Sequence, residues 1–125
     1  LHVALTQLNY SYFVSLFVAT CFAQTPQPAL IPDAPPVMLR IADAESGSQQ
    51  FNDDGTVVSH KNTDGTIDRG IFQINSSHQK DAERMGYDIM TADGNIKYAL
   101  YLYKIQGTRP WSASKPVWSK VVPTD

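Results

Sequence analysis

This sequence predicts an α+β fold, mostly helical, with a small antiparallel β-hairpin region beside a cleft. Three observations predict it. Residues 37–46 and 94–106 carry apolar side chains at helical spacing, and each run stops at a glycine. Between them stand Asp54-Gly55 and Asp64-Gly65, each followed by β-branched residues. Such pairs favour tight hairpins, because glycine takes positive φ cheaply. Finally, one carboxylate, Glu45, falls at a helix end, and another, Asp68, falls on a strand.

A chain of 125 residues favours one domain. Its 42% hydrophobic and 18% charged residues are those of an ordinary globular protein. A formal net charge of −2 excludes the basic excess that a broad nucleic-acid surface needs. The single cysteine, Cys21, cannot form an internal disulfide. His2, His60 and His78 are scattered, without zinc-ligand spacing, so no metal or cofactor is expected. The core must hold by packing alone, which is demanding at this size.

Residues 10–23 form an apolar run that falls short of the roughly 20 residues that span a bilayer. It suits the apolar centre of a signal peptide, with Cys21 and Ala23 as small residues before a cleavage site, although no Lys or Arg precedes it. Residues 1–23 are therefore read as an export or membrane-targeting segment; a core strand or helix is the alternative. Residues 24–36 carry five prolines, which supply no amide donors, and read as an extended linker. The folded domain is expected over 37–125. It is expected to be a monomer, exported to the periplasm, the cell wall or the medium, with no stable membrane insertion after processing.

The first helix, 37–46, presents Val37, Ile41 and Ala44 at i, i+4, i+7, with Met38 and Ala42 beside them. Glu45 sits in its last turn, close to that stripe. Negative charge is disfavoured at a helix C-terminus, and partial burial disfavours ionisation further. Both effects suit a general acid that must hold its proton near neutral pH. From the helix alone, a solvated glutamate is the ordinary reading. The downstream sequence reverses it, because a second carboxylate facing the first across a gap completes the minimum equipment for cleaving a glycosidic bond.

Residues 53–55 and 62–65 read as turns, with strands over 56–60 and 66–68 and a glycine bend at Gly70. The clustered aspartates lack the alternating ligands of a calcium loop. Residues 76–85 suit a second helix, capped by Ser76 or Ser77 and stopped by Gly86. Asp93 suits the N-cap of the third, 94–106. There Ile96, Ala99, Leu100 and Tyr103 make one stripe and Tyr98, Leu102 and Ile105 another, as in a central, buried helix. Trp118 is expected in the core, and Trp111 either in the core or as a sugar-stacking platform. No internal repeat is apparent.

Residues 62–76, Asn62-Thr63-Asp64-Gly65-Thr66-Ile67-Asp68-Arg69-Gly70-Ile71-Phe72-Gln73-Ile74-Asn75-Ser76, resemble the stretch of animal-type lysozymes that holds their second catalytic carboxylate. Glu45-Ser46-Gly47 followed by Gly70-Ile71-Phe72-Gln73-Ile74 resembles the soluble lytic transglycosylase (SLT) pattern, in which the glutamate is the only catalytic acid. Asn95-Ile96 and Ala99-Leu100-Tyr101-Leu102 resemble the later helix of those transglycosylases. The resemblance covers roughly residues 37–118. It implies a lysozyme-like fold and, as partner, peptidoglycan glycan strands, cut at the β-1,4 bond between N-acetylmuramic acid and N-acetylglucosamine.

By that resemblance Glu45 matches the catalytic acid of both families, and Asp68 the second carboxylate of lysozymes. Small secretion-associated transglycosylases can also carry an aspartate there, so Asp68 does not by itself settle the reaction. Gln73 and Asn75 match cleft-floor residues, and Tyr101 a tyrosine near the acid. With Ser46 and Trp111 they make the candidate substrate-binding set. The disulfides of animal lysozymes are absent, and the segment between Glu45 and Asp68 is longer, which points to a bacterial or phage-like relative. The expected activity is a lytic transglycosylase. The alternatives are a lysozyme using Glu45 with Asp68, a non-catalytic glycan-binding module, or a structural exported domain.

Overall fold

The computed structural model describes residue 31 and residues 33–120. The expected export segment, Cys21, most of the proline-rich linker and residues 121–125 lie outside the described residues. The described part mixes helices with one small antiparallel sheet, and about half of it is helical. It is α+β, as expected. Among the described residues no helix is long and apolar enough to cross a membrane.

Helix α1 spans Pro36–Ser46, so Pro36 belongs to the helix and not to the linker. The reason is local: at the first helical position the missing amide of proline costs nothing, and its fixed φ suits the helix. The helix ends at Gly47 in a left-handed conformation, φ 64°. There the amides of Gly47 and Ser48 reach back to the carbonyls of Asp43 and Ala42 at 2.8 and 3.1 Å, which satisfies last-turn acceptors. The buried face is Met38, Ile41 and Ala42, while Val37 and Ala44 are only half-buried. Glu45 stands at the next step of that buried face, seven residues after Met38.

The sheet comprises β1 (Ser59–Lys61), β2 (Ile67–Arg69) and β3 (Ile74–Asn75) in that order, all antiparallel. His60 faces Asp68 in the first pairing, and Asp68 faces Asn75 in the second. The strand expected over 56–60 is displaced, because two similar turns share this segment. Asn52 to Thr56 closes the bridge Phe51–Val57, and Asn62 to Thr66 closes Lys61–Ile67. In each turn the aspartate takes the threonine amide at 2.9 Å and its hydroxyl at 2.6 Å. In each, too, the asparagine amide donates to that hydroxyl. A five-residue repeat, Asn-x-Asp-Gly-Thr, is therefore present, though it is too short to register as a domain repeat.

A 3-10 turn over Ser76–His78 follows β3 and runs into α2, Gln79–Arg84. Its cap is Asn75, whose Oδ1 accepts the Ser77 amide at 3.0 Å; neither serine caps it. Ser76 is engaged elsewhere, accepting the Ile67 amide at 3.1 Å. Helix α3 is Ala92–Gln106, capped by Thr91 and not by Asp93. Thr91 Oγ1 accepts the Gly94 amide at 3.1 Å, and Asp93 pairs with Lys97 on the surface instead. The first turn of α3 lies so close to Asp88 that a side chain at Gly94 would collide with its backbone. One face of α3, from Gly94 to Leu102, is buried, but its last turn emerges and leaves Ile105 56% exposed.

A 3-10 segment, Arg109–Ser114, leads into the short α4, Lys115–Trp118. Both pack against α1. A chain of indoles and carbonyls ties this end to the rest. Trp118 Nε1 donates to the Trp111 carbonyl at 3.0 Å, and Trp111 Nε1 donates to the Phe72 carbonyl at 2.9 Å. Arg40 Nε donates to the Trp118 carbonyl at 3.1 Å. The core lies between α1, the bend at 70–74, α3 and this C-terminal segment.

Candidate active site

A cleft of about 280 Å³ has Glu45 and Asp68 in its lining, with Gln73, Asn75, His78 and Trp111 among the other walls. Glu45 reaches it from the last turn of α1, half-buried. Burial pushes its carboxyl above the ordinary range, and the negative charge of Asp68 adds to the rise. A hydrogen bond donated by Ser114 Oγ to Glu45 Oε1 works the other way, because it favours the ionised form. The net direction is upward. Glu45 is thus a carboxyl that holds its proton longer than usual, with one oxygen oriented by a hydroxyl.

Asp68 comes from the middle of β2. Strand alternation sends Arg69 to the opposite face, so the two are not paired. Asp68 is held instead by its cross-strand neighbour: Asn75 Nδ2 donates to Asp68 Oδ1 at 2.8 Å and to Thr66 Oγ1 at 2.9 Å. Asn75 thus braces Asp68, ties in the second turn and caps the following 3-10 turn. Gln73 has φ 48°, a strained conformation for a residue with a side chain. Its Nε2 donates to the carbonyls of Gly70 and Val58 at 2.8 and 3.2 Å, which locks the bend.

Three expected site residues land elsewhere or play another part. Ser46 is not among the residues that line the cleft. Its hydroxyl donates to the Ile71 carbonyl at 2.7 Å and accepts the Gln49 amide at 3.1 Å, fastening the end of α1 to the bend. Tyr101 is not brought to Glu45. It lies against Tyr98 and lines a second, shallower depression with Asp81, Arg84 and Met85. Trp111 does reach the cleft wall, but it is 4% exposed and packs on Phe72 with ring centroids 6.0 Å apart. It is a core residue with one edge at the cleft, like Trp118 beneath it, and offers no open face for a sugar ring.

Sequence reasoning missed four participants. Ser114 carries no motif and lies 69 residues from the carboxylate it touches. Gln50 and Asn95 are buried amides that supply the bend at 69–72 with its hydrogen bonds. Asn95 Oδ1 accepts the Phe72 amide at 3.0 Å, and its Nδ2 donates to the carbonyls of Arg69 and Ile89 at 2.8 and 2.9 Å. Gln50 Oε1 accepts the Ile71 amide at 3.0 Å, and its Nε2 donates to the Ile89 carbonyl at 3.1 Å. Gly70, φ 76°, must be glycine here, because a side chain would collide with both amides. An amide at the head of an apolar stripe, as Asn95 is before Tyr98, Ala99 and Leu102, was the available signal. The fourth, His78, lines the cleft from the turn that precedes α2.

Among the described residues no three His, Cys, Asp or Glu side chains gather as a metal site. Asp54 and Asp64, the aspartates of the two turns, have their carboxyls held below the ordinary range, chiefly by the threonine hydroxyls they accept and then by the threonine amides. No family model, no curated protein and no solved structure matches the chain.

Proposed function

We propose that this protein cleaves the β-1,4 bond between N-acetylmuramic acid and N-acetylglucosamine in peptidoglycan, as a lytic transglycosylase with a lysozyme-like fold. The observation that carries the proposal is the state of Glu45. It is a half-buried carboxyl with raised proton affinity, oriented by Ser114, in a cleft it shares with a second carboxylate. A structural glutamate at a helix end would gain from full exposure to solvent; this one is half-buried. The resemblance of the segments around Glu45 and Asp68 to lytic transglycosylases and lysozymes supplies the substrate class. Export to the cell wall follows from the same reading and from the apolar run at residues 10–23.

The reaction divides into two proton transfers through one residue. Glu45 gives its proton to the glycosidic oxygen as the bond from that oxygen to the sugar's C1 breaks. Positive charge develops at C1, and the negative charge of Asp68 in the same cleft relieves it. Glu45, now ionised, takes the proton of the sugar's own 6-hydroxyl, whose oxygen bonds to C1. The product is a 1,6-anhydro end, and Glu45 is protonated again. No metal or cofactor enters these steps.

One observation favours a second reading. Asp68 lies in the cleft with Glu45, braced by Asn75, as a lysozyme's second carboxylate would need. In that case water completes the reaction. The mass of the glycan end released from purified cell walls decides between the two. Anhydro ends are expected; ends heavier by one water would make the protein a lysozyme, and no release at all would leave a glycan-binding or structural domain.

A further inference from the structure

His78 is a cleft residue that the two-carboxylate reading does not use, and its surroundings define one ring nitrogen. Its Nδ1 lies 3.1 Å from the hydroxyl of Tyr98, and the two rings pack with centroids 5.7 Å apart. Tyr98 is 1% exposed, and among the described residues its hydroxyl meets no other partner. A buried hydroxyl left without an acceptor costs about 1–3 kcal/mol. The Tyr98 proton therefore goes to Nδ1, and a neutral ring that accepts at Nδ1 must carry its own proton on Nε2. Nε2 has no hydrogen-bond partner among the described residues. His78 is half-buried at the cleft that holds Glu45 and Asp68.

We propose that His78 is a specificity-determining residue, a hydrogen-bond donor through Nε2–H whose tautomer is set by Tyr98. Its partner is the acetamido carbonyl of an N-acetylated sugar in the cleft; this ligand assignment rests on the glycosidase reading above. An amide carbonyl suits the position because it accepts without bringing a donor of its own, unlike a sugar hydroxyl. The other polar walls fit this division of labour. The amide nitrogens of Gln73 and Asn75 are engaged within the protein, which leaves His78 and Gln106 as the lining side chains whose N–H donors have no partner among the described residues.

The test uses the 15N-labelled full chain with chitotetraose as probe. Long-range 1H–15N correlation spectra report the tautomer, and His78→Gln identifies the His78 signals. The expected result is an Nε2–H ring in the wild type and a mixed tautomer in Tyr98→Phe. Chitotetraose should move the Nε2–H resonance. His78→Ala should weaken binding by roughly two- to tenfold, the net worth of one neutral hydrogen bond. His78→Gln, whose amide nitrogen can approach the position of Nε2, should recover most of that loss. Thermal melting checks that each variant is folded. An Nδ1–H ring in the wild type would overturn the tautomer assignment. Binding that leaves the His78 resonances unmoved would overturn the donor role while the glycan reading stood. Absence of binding by the wild type, with the Nε2–H ring intact, would overturn the glycan reading and with it the acetamido assignment.

Discussion

Replacing Glu45 by Gln should move activity and stability in opposite directions. Glutamine keeps the shape and the Oε1 acceptor, so the Ser114 hydroxyl retains its partner. What disappears is the transferable proton. General acid–base catalysis contributes about 10²–10⁴-fold. Because one residue serves as acid and then as base, turnover on cell walls should fall by at least about 100-fold. Stability should rise at neutral pH. The raised pKa means that ionised Glu45 is costlier in the folded chain than in the unfolded one. In the wild type this cost is absent below the ordinary glutamate pKa, about 4.3, and it is fully present once pH has risen through the folded value. The variant should therefore melt higher than wild type at neutral pH, with the gap closing as pH falls toward about 4. For a domain of this size each 1 kcal/mol is worth about 4–8 °C in Tm, so even a small gain is readable. Activity within about threefold of wild type, or a lower Tm at neutral pH, would refute this assignment.

Asp68→Asn removes the charge that helps raise Glu45 but leaves an oxygen for Asn75 to bond. Measurable turnover should persist, still releasing anhydro ends, and the limb where activity falls with rising pH should move to lower pH. Near-total loss with reducing ends from wild type would instead show a lysozyme. Ser114→Ala removes the hydrogen bond that lowers the Glu45 pKa, so the same limb in a kcat/KM profile should move to higher pH. Asn95→Ala strips partners from the Phe72 amide and the Arg69 carbonyl. Denaturant melts should show a loss of about 3–5 kcal/mol, the sum expected for buried polar groups left unpaired plus a cavity. A loss below 1 kcal/mol would mean that the bend does not depend on this amide.

The local elements were legible because each is encoded by neighbouring residues. Helical spacing marked α1 and α3, and Gly47 and Gly107 marked where they stop. The two Asp-Gly turns marked the hairpin region, although their shared five-residue pattern displaced the first strand from 56–60 to Ser59–Lys61. Caps were missed by one or two residues where two polar candidates stood close together in the chain. Asn75 won over Ser76, and Thr91 over Asp93, because the losers had better partners elsewhere.

What the sequence by itself determined was the element types and the presence of Glu45 and Asp68 on two different elements, since periodicity and turn chemistry act over a few residues. The tertiary structure alone decided what surrounds those carboxylates. Ser114 meets Glu45 across 69 residues of chain, and Asn95 reaches Phe72 across 23. It also decided that Tyr101 faces another depression and that Trp111 is spent in the core. The physical reason is that burial and hydrogen-bond partnership belong to pairs of distant segments brought together by packing. No residue's own neighbourhood in the chain carries that information.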